Sequence, residues 1–188
     1  MFQSASSGES AVVDAITTDL GAGWRGLSND EWKYLLGWDN NANPKEQASK
    51  REAEHRFAKI TVSGDTDLAS LSTGRYLLIF PDSFTEESDW IETMGPKPTA
   101  YDGNGESAGA YTEANFTAMQ NAGIVILPGA GCRRDSSWLS VGSDGSYWSS
   151  TSDSASIAFR PSFGSSHVDM DNLSKSNYYF CVRLVQNL

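Results

Sequence analysis

Two cysteines, Cys132 and Cys181, and two histidines, His55 and His167, are the whole supply of thiols and imidazoles in the sequence. A disulfide framework or a four-thiolate zinc site needs more. No nucleophile motif accompanies His167, so it reads as a surface histidine able to contact a ligand. Gly129-Ala130-Gly131 reads as turns, because no Gly-Lys-Ser/Thr follows to cradle phosphate. Asp144, Asp153, Asp169 and Asp171 are oxygen donors of the kind Ca²⁺ collects in numbers. Asp102, Asn104, Glu106 and Glu113 fall at calcium-loop spacing. Ser107, however, stands where that loop needs a glycine for its sharp turn, and no long helix precedes it, so a polar surface loop is the reading. With no nucleophile–base pair and no ligand set, the residues predict no catalytic residue, no metal and no cofactor. What remains is recognition by side chains.

These side chains sit in an acidic chain of 188 residues with 14 Lys/Arg, 24 Asp/Glu and a formal charge of −10. Phosphate backbones and anionic lipid both need clustered Lys and Arg, so nucleic acid and membrane surfaces are poor partners. The acidity favours a neutral or basic one. Apolar runs stop at about five residues, far short of a span, so membrane insertion is not expected. Met1–Ser10 is Ser-rich and lacks the apolar core of a secretory signal.

The elements that must position these groups are legible in part. Ser28 with Glu31 forms a capping box, and Trp32, Leu35 and Leu36 follow at i, i+3, i+4. This predicts a helix over 28–36, stopped by Gly37, with Trp32 in the core. Residues 11–20 stay unassigned, and 38–54 read as a surface loop. Strands are predicted at 57–62, 76–80 and 124–127, with loop at 82–110. A second helix is predicted over 112–122, capped by Thr112, with Phe116 and Met119 on one face. Residues 136–176 hold 15 serines in 41 positions, a composition that by itself points to disorder. Trp138, Tyr147, Trp148, Phe159 and Phe163 oppose that, because disordered segments are poor in aromatics. Strands are therefore predicted at 147–150, 157–163 and 178–185. The class is α+β, two short helices followed by a strand-rich and loop-rich C-terminal half.

Five segments in order carry a resemblance. They are Gly23-Trp24-Arg25-Gly26-Leu27-Ser28 with Glu31-Trp32-Lys33-Tyr34-Leu35; Leu78-Ile79-Phe80-Pro81-Asp82; Ala122 to Pro128 with Gly131 and Arg133; Val141 to Ser150; and Val182-Arg183-Leu184-Val185. The chain resembles the bacterial branch of the C-type-lectin-like fold, which holds the Fibrobacter-type major paralogous domains of gut Bacteroidetes and lies near the formylglycine-generating enzymes. The resemblance covers 23–185. It implies an N-terminal segment over 1–22 and a C-type-lectin-like domain over 23–188. The calcium-dependent sugar motifs of lectins are missing, so that activity is not implied.

The C-terminal part is also similar to the variable proteins of diversity-generating retroelements, in which this region is rewritten at adenines. The frame is kept at Gly131, Arg133, Val141 to Ser143, Gly145, Tyr147 to Ser150, Phe163, Ser165, Ser166, Val168, Met170 and Val182 to Gln186. Between these stand mixed chemistries: Cys132, Arg134, Leu139, Ser140, Asp144, Ser146, Asp153, Ile157, Phe159, Arg160, Ser162, Gly164, His167, Asp169, Asp171 and Leu173. The resemblance implies a hypervariable ligand-binding surface over about 131–186, built from these positions other than Cys132, with Trp138, Tyr178 and Tyr179 as rigid contact area. Most of nine of them, Leu139, Asp144, Ile157, Phe159, Arg160, His167, Asp169, Asp171 and Leu173, are expected to face solvent together, with Phe159 the member its strand is most able to bury. The ligand would be a protein or cell-surface component, met at a cell surface, a pilus or a phage particle. The alternatives are a formylglycine-generating-type oxidase, whose copper chemistry the neighbouring enzymes run on paired cysteines, and a fixed adhesive or structural domain. The thiols can thus be a copper pair, a disulfide in an exported protein, or two unrelated groups; the last is preferred.

Overall fold

A computed structural model describes residues 23–36, 57–62, 74–81, 83–84, 89–98, 106–174 and 177–186. The readings made for 1–22, Gly37, 38–54, Asp102 and Asn104 lie outside the described residues. The architecture is α+β. At its centre is a four-stranded sheet of β2 (Phe57–Val62), β3 (Gly74–Ile79), β4 (Ser107–Gly109) and β5 (Val125–Pro128), in the order β4-β2-β3-β5. β3 lies antiparallel to β2 and β5, and β4 runs parallel to β2. β4 falls inside the stretch read as loop; Ser107, Ala108 and Gly109 carry little strand propensity, and it is pairing with β2 that extends them.

Both faces of this sheet are covered, which is why residues 76–80 are apolar without alternation. Ala58, Ile60, Val62, Tyr76, Leu78 and Phe80 pack with Phe116 and Met119 of α2 (Glu113–Asn121). Thr112 caps α2 by accepting from the Asn115 amide, while the Asn115 side chain accepts from the Thr112 amide. Leu77, Ile79 and Leu127, on the other face, pack with Trp32 and Leu36 of α1 (Asn29–Leu36) and with Tyr147, Phe163 and Val168. The predicted box at α1 is present: the Glu31 amide donates to Ser28 Oγ at 3.2 Å, and the Ser28 amide donates to Glu31 Oε2 at 2.8 Å. Glu31 also takes two hydrogen bonds from Arg25, on β1 (Trp24–Gly26). β1 pairs with the last strand, β12 (Leu184–Gln186), so the two ends of the described fold meet.

The C-terminal third forms two small sheets. β6 (Cys132–Arg134) pairs with β7 (Ser137–Leu139) and β11 (Tyr178–Tyr179). β9 (Ile157–Phe163) pairs with β8 (Gly145–Ser146) and β10 (Val168–Ser174). Two expectations are corrected here. Instead of a strand over 147–150, Tyr147 makes one bridge to Cys181, and Tyr147, Trp148 and Ser149 are all buried. Tyr147 faces the Trp32 core and Trp148 faces Phe180, so the chain passes between two cores and cannot alternate. The strand over 178–185 divides into β11 and β12, because the chain leaves one sheet for another. The β6–β7 hairpin and β10 carry no clear strand signal; β10 is Val-Asp-Met-Asp-Asn-Leu-Ser, and its pairing with β9 overrides that composition.

Candidate ligand-binding face

Strand periodicity sorts the residues singled out in the sequence. Directly paired residues share a face, and successive residues alternate. On β9, Arg160 and Ser162 share one face with Asp171 and Asp169, their partners on β10, while Ile157 and Phe159 turn to the other face. Ser146 on β8 lies opposite Ser162. On β6, Cys132 and Arg134 share a face with Leu139 and Tyr178, while Arg133 shares the other with Trp138 and Tyr179.

Between the two sheets, Cys132, Ser146, Arg160, Ser162 and Tyr178 of these residues border a cavity of about 160 Å³ that opens to solvent, which Arg134, Leu139, Asp169 and Asp171 do not line. Ser140, Asp144, Ser146, Arg160, Ser162, His167 and Tyr178 line it, together with Gly131, Cys132, Gly145, Phe163 and Phe180. Ser146, Ser162 and Gly164 are buried and belong to the floor, not to an exposed surface. Asp144, Arg160, His167, Asp169 and Tyr178 are half-buried; Arg134, Leu139, Ser140 and Asp171 are exposed. Away from the cavity, Trp138 is 61% exposed, Asp153 is exposed, and Ile157, Phe159 and Tyr179 are half-buried. Leu173 pairs with Ala158 through its backbone, and its side chain lies outside the described residues. The nine frame-breaking residues therefore do not share one face: Ile157 and Phe159 stand apart.

Three features hold this arrangement. Arg75 on β3 donates its backbone N–H to Gly142 O at 2.9 Å, and its guanidinium donates to Ser143 O and to Glu106. This fixes the turn that carries Asp144 to the central sheet. Burial pushes the Glu106 carboxyl up, but the hydrogen bonds from Arg75 and Thr61 outweigh it and hold the group below its ordinary range. Lys59, fully buried on β2, donates to Gly164 O at 3.0 Å and Ser165 O at 2.9 Å, tying down the β9–β10 turn. Gly131, at φ +62, leaves no room for a Cβ beside the 139–141 backbone, and a Cβ on Gly145 would overlap the Phe163 ring.

Sequence reasoning missed Lys59, Arg75 and Phe180 as parts of this region; Gly145 and Phe163, read as frame, also line the cavity. The single lysine inside the otherwise apolar pattern of 57–62 was the available signal, since an apolar strand interior tolerates a cation only with acceptors.

Cys132 and Cys181 are free, and burial pushes both thiols above their ordinary range. A nucleophilic or metal-binding thiolate needs the opposite shift. Among the described residues, no three His, Cys, Asp or Glu gather closely enough to hold a metal. No helix among them is long and apolar enough to cross a membrane. No protein-family model, curated protein or solved structure matches this chain.

Proposed function

We propose that this protein recognises a protein or cell-surface ligand through its C-terminal third, on a C-type-lectin-like scaffold whose surface is diversified by a retroelement, and that it does so without chemistry. One observation carries the reading. The buried part of the region is mostly frame: Gly131, Gly145, Tyr147, Trp148, Ser149, Phe163 and Val168 are buried, against Ser146, Ser162 and Gly164 among the frame-breaking positions, while Arg133, Val141, Ser143, Ser165, Ser166, Arg183 and Gln186 keep the frame at the surface. The positions that break the frame lie mostly at the surface or around the cavity. Rewriting a codon is tolerated where a side chain meets solvent, because exposed substitutions away from caps and cores change stability by about 0.5 kcal/mol or less. The mixture of short polar residues with Trp138, Tyr178 and Tyr179 also supports recognition, since rigid aromatics give contact area at low entropy cost.

Two experiments test it. The gene should lie beside a reverse transcriptase and a near-copy of codons 131–186 that differs at adenines; an isolated gene with no such copy overturns the diversified reading. A library randomised at Arg134, Trp138, Leu139 and Asp171 should yield binders to several immobilised proteins. A control library at exposed positions of α2, such as Thr117 and Gln120, should yield none. Equal yields from both would refute recognition by this face.

A further inference from the structure

Three lining residues of the cavity, Tyr178, Phe180 and Arg160, stand in a column that Arg134 extends beyond it. The Arg134 guanidinium lies 5.4 Å from the centre of the Tyr178 ring. Tyr178 stacks on Phe180 at 5.7 Å and 24°. Arg160 closes the column 5.1 Å from the Phe180 ring. A stacked guanidinium keeps its in-plane N–H donors free for planar acceptors. Arg160 uses Nη1 on Ser146 Oγ at 2.6 Å and Nη2 on Asp171 at 3.3 Å, and its buried Nε has no acceptor. Arg134 makes no ion pair among the described residues. The chain's acidity does not reach here: residues 131–188 hold five Lys/Arg and five Asp, so the entire formal charge of −10 belongs to residues 1–130.

We propose that this cavity receives the carboxylate side chain of an Asp or Glu on a protein partner, with Arg160 as its donor and Arg134, beyond the cavity at the other end of the stack, as a further attracting charge. The proposal rests on the reading of this region as the binding face and names the chemistry that the face selects. Size favours a protein side chain over an acidic sugar. A cavity of about 150 Å³ is filled by an unsubstituted six-membered ring, so a uronate ring with its hydroxyls and carboxylate exceeds the space. The acidic remainder of the chain also disfavours a dense polyanion and tolerates a single acid. Asp144 lines the same cavity. Its carboxylate is 3.9 Å from Arg75 Nη1, which offsets its charge from behind and leaves it a weak repulsive wall.

The test uses the full chain and small probes: propionate, its neutral isostere propionamide, blocked glutamate and glucuronate. The readouts are the backbone amide resonances of Gly145, Ser146 and His167 and the Nε–H resonance of Arg160. Propionate should shift these saturably and should bind at least about tenfold tighter than propionamide, since a hydrogen bond to a charged group contributes about 1.5 kcal/mol or more. Arg160→Gln should abolish the difference. Arg134→Gln, at an exposed site, should weaken propionate while lowering the melting temperature by no more than about 2 °C, which separates binding from folding. Asp144→Asn should tighten propionate by about threefold, because it removes a partly screened like charge. Equal binding of propionate and propionamide, or propionate binding that survives Arg160→Gln, overturns the proposal. Glucuronate binding tighter than blocked glutamate overturns the protein source. If propionate binds as expected but altering the face changes no macromolecular partner, the carboxylate site stands and the diversified-surface reading falls. If partners change while propionate is inert, the reverse holds.

Discussion

Replacing exposed positions of the C-terminal third should cost less stability than replacing the floor of the cavity. The rim variant takes four exposed positions of this region that do not line the cavity itself, Arg134→Ser, Leu139→Ser, Asp153→Ser and Asp171→Ser. Leu139 and Asp153 should each cost about 0.5 kcal/mol or less. Arg134 gives up its stacking on Tyr178, about 0.5 kcal/mol at an exposed site. The Asp171 side chain is 54% exposed, so its pair with Arg160 contributes about 0.5 kcal/mol. The total is about 2 kcal/mol, which for a chain of this length lowers Tm by about 4–8 °C. The floor variant combines Arg160→Ala and Gly164→Val. Arg160 is only 16% exposed in its side chain, and removing it strips the Phe180 ring and leaves Ser146 Oγ without its donor, about 2–3 kcal/mol. A Cβ on Gly164 would lie 2.5 Å from His167 Cε1 and 2.9 Å from Asp144 Oδ1, so both must move, at about 1–3 kcal/mol. The floor variant should thus lose about twice what the rim variant loses with half the substitutions. Thermal and urea unfolding of both measures the difference, and partner binding of the rim variant reports recognition. A rim variant that unfolds, or that loses more than the floor variant, would refute the division into scaffold and surface.

Trp32 is fully buried against Tyr147, and its Nε1–H has no acceptor among the described residues. Trp32→Ala should therefore cost about 3–5 kcal/mol in urea unfolding, whereas Trp32→Phe, which also removes the unpaired donor, should cost under about 2 kcal/mol; equal costs would contradict this account of the core. Glu31 is held at about 2, below its ordinary 4.5, chiefly by the hydrogen bond from Arg25, with burial opposing and Ser28 assisting. Its contribution is then complete above about pH 4.5 and fades as the pH falls toward about 2; with the side chain 38% exposed it amounts to about 1 kcal/mol. Glu31→Gln should flatten the acid limb of the stability profile, and an unchanged limb would contradict the assignment. Because burial raises both thiols, Cys132 and Cys181 should react slowly with a disulfide reagent at neutral pH and rapidly after unfolding. Fast reaction of the native protein, or stoichiometric copper binding lost on Cys132→Ser, would reopen the oxidase alternative.

The local rules of the chain settle its most regular parts. Ser28 and Glu31 cap α1, Thr112 caps α2, and the strands over 57–62 and 157–163 are found at their predicted bounds. Each rests on interactions a few residues apart or on a run of β-forming residues, which the one-dimensional pattern carries in full. The C-terminal elements depend on partners instead. β10 is extended because β9 lies beside it, Tyr147 and Trp148 enter separate cores because the chain runs between two sheets, and β4 exists only by pairing with β2. The candidate site is divided in the same way. The family resemblance marked Arg160, His167, Asp144 and Tyr178, but nothing in the sequence placed them around one cavity or turned Ile157 and Phe159 away from it. That depends on which strand lies opposite which, and on Lys59 and Arg75 reaching from the central sheet to backbone carbonyls about 105 and 68 residues further along the chain. Such long-range hydrogen bonds leave no periodicity in sequence, so the tertiary structure alone decides where the face lies.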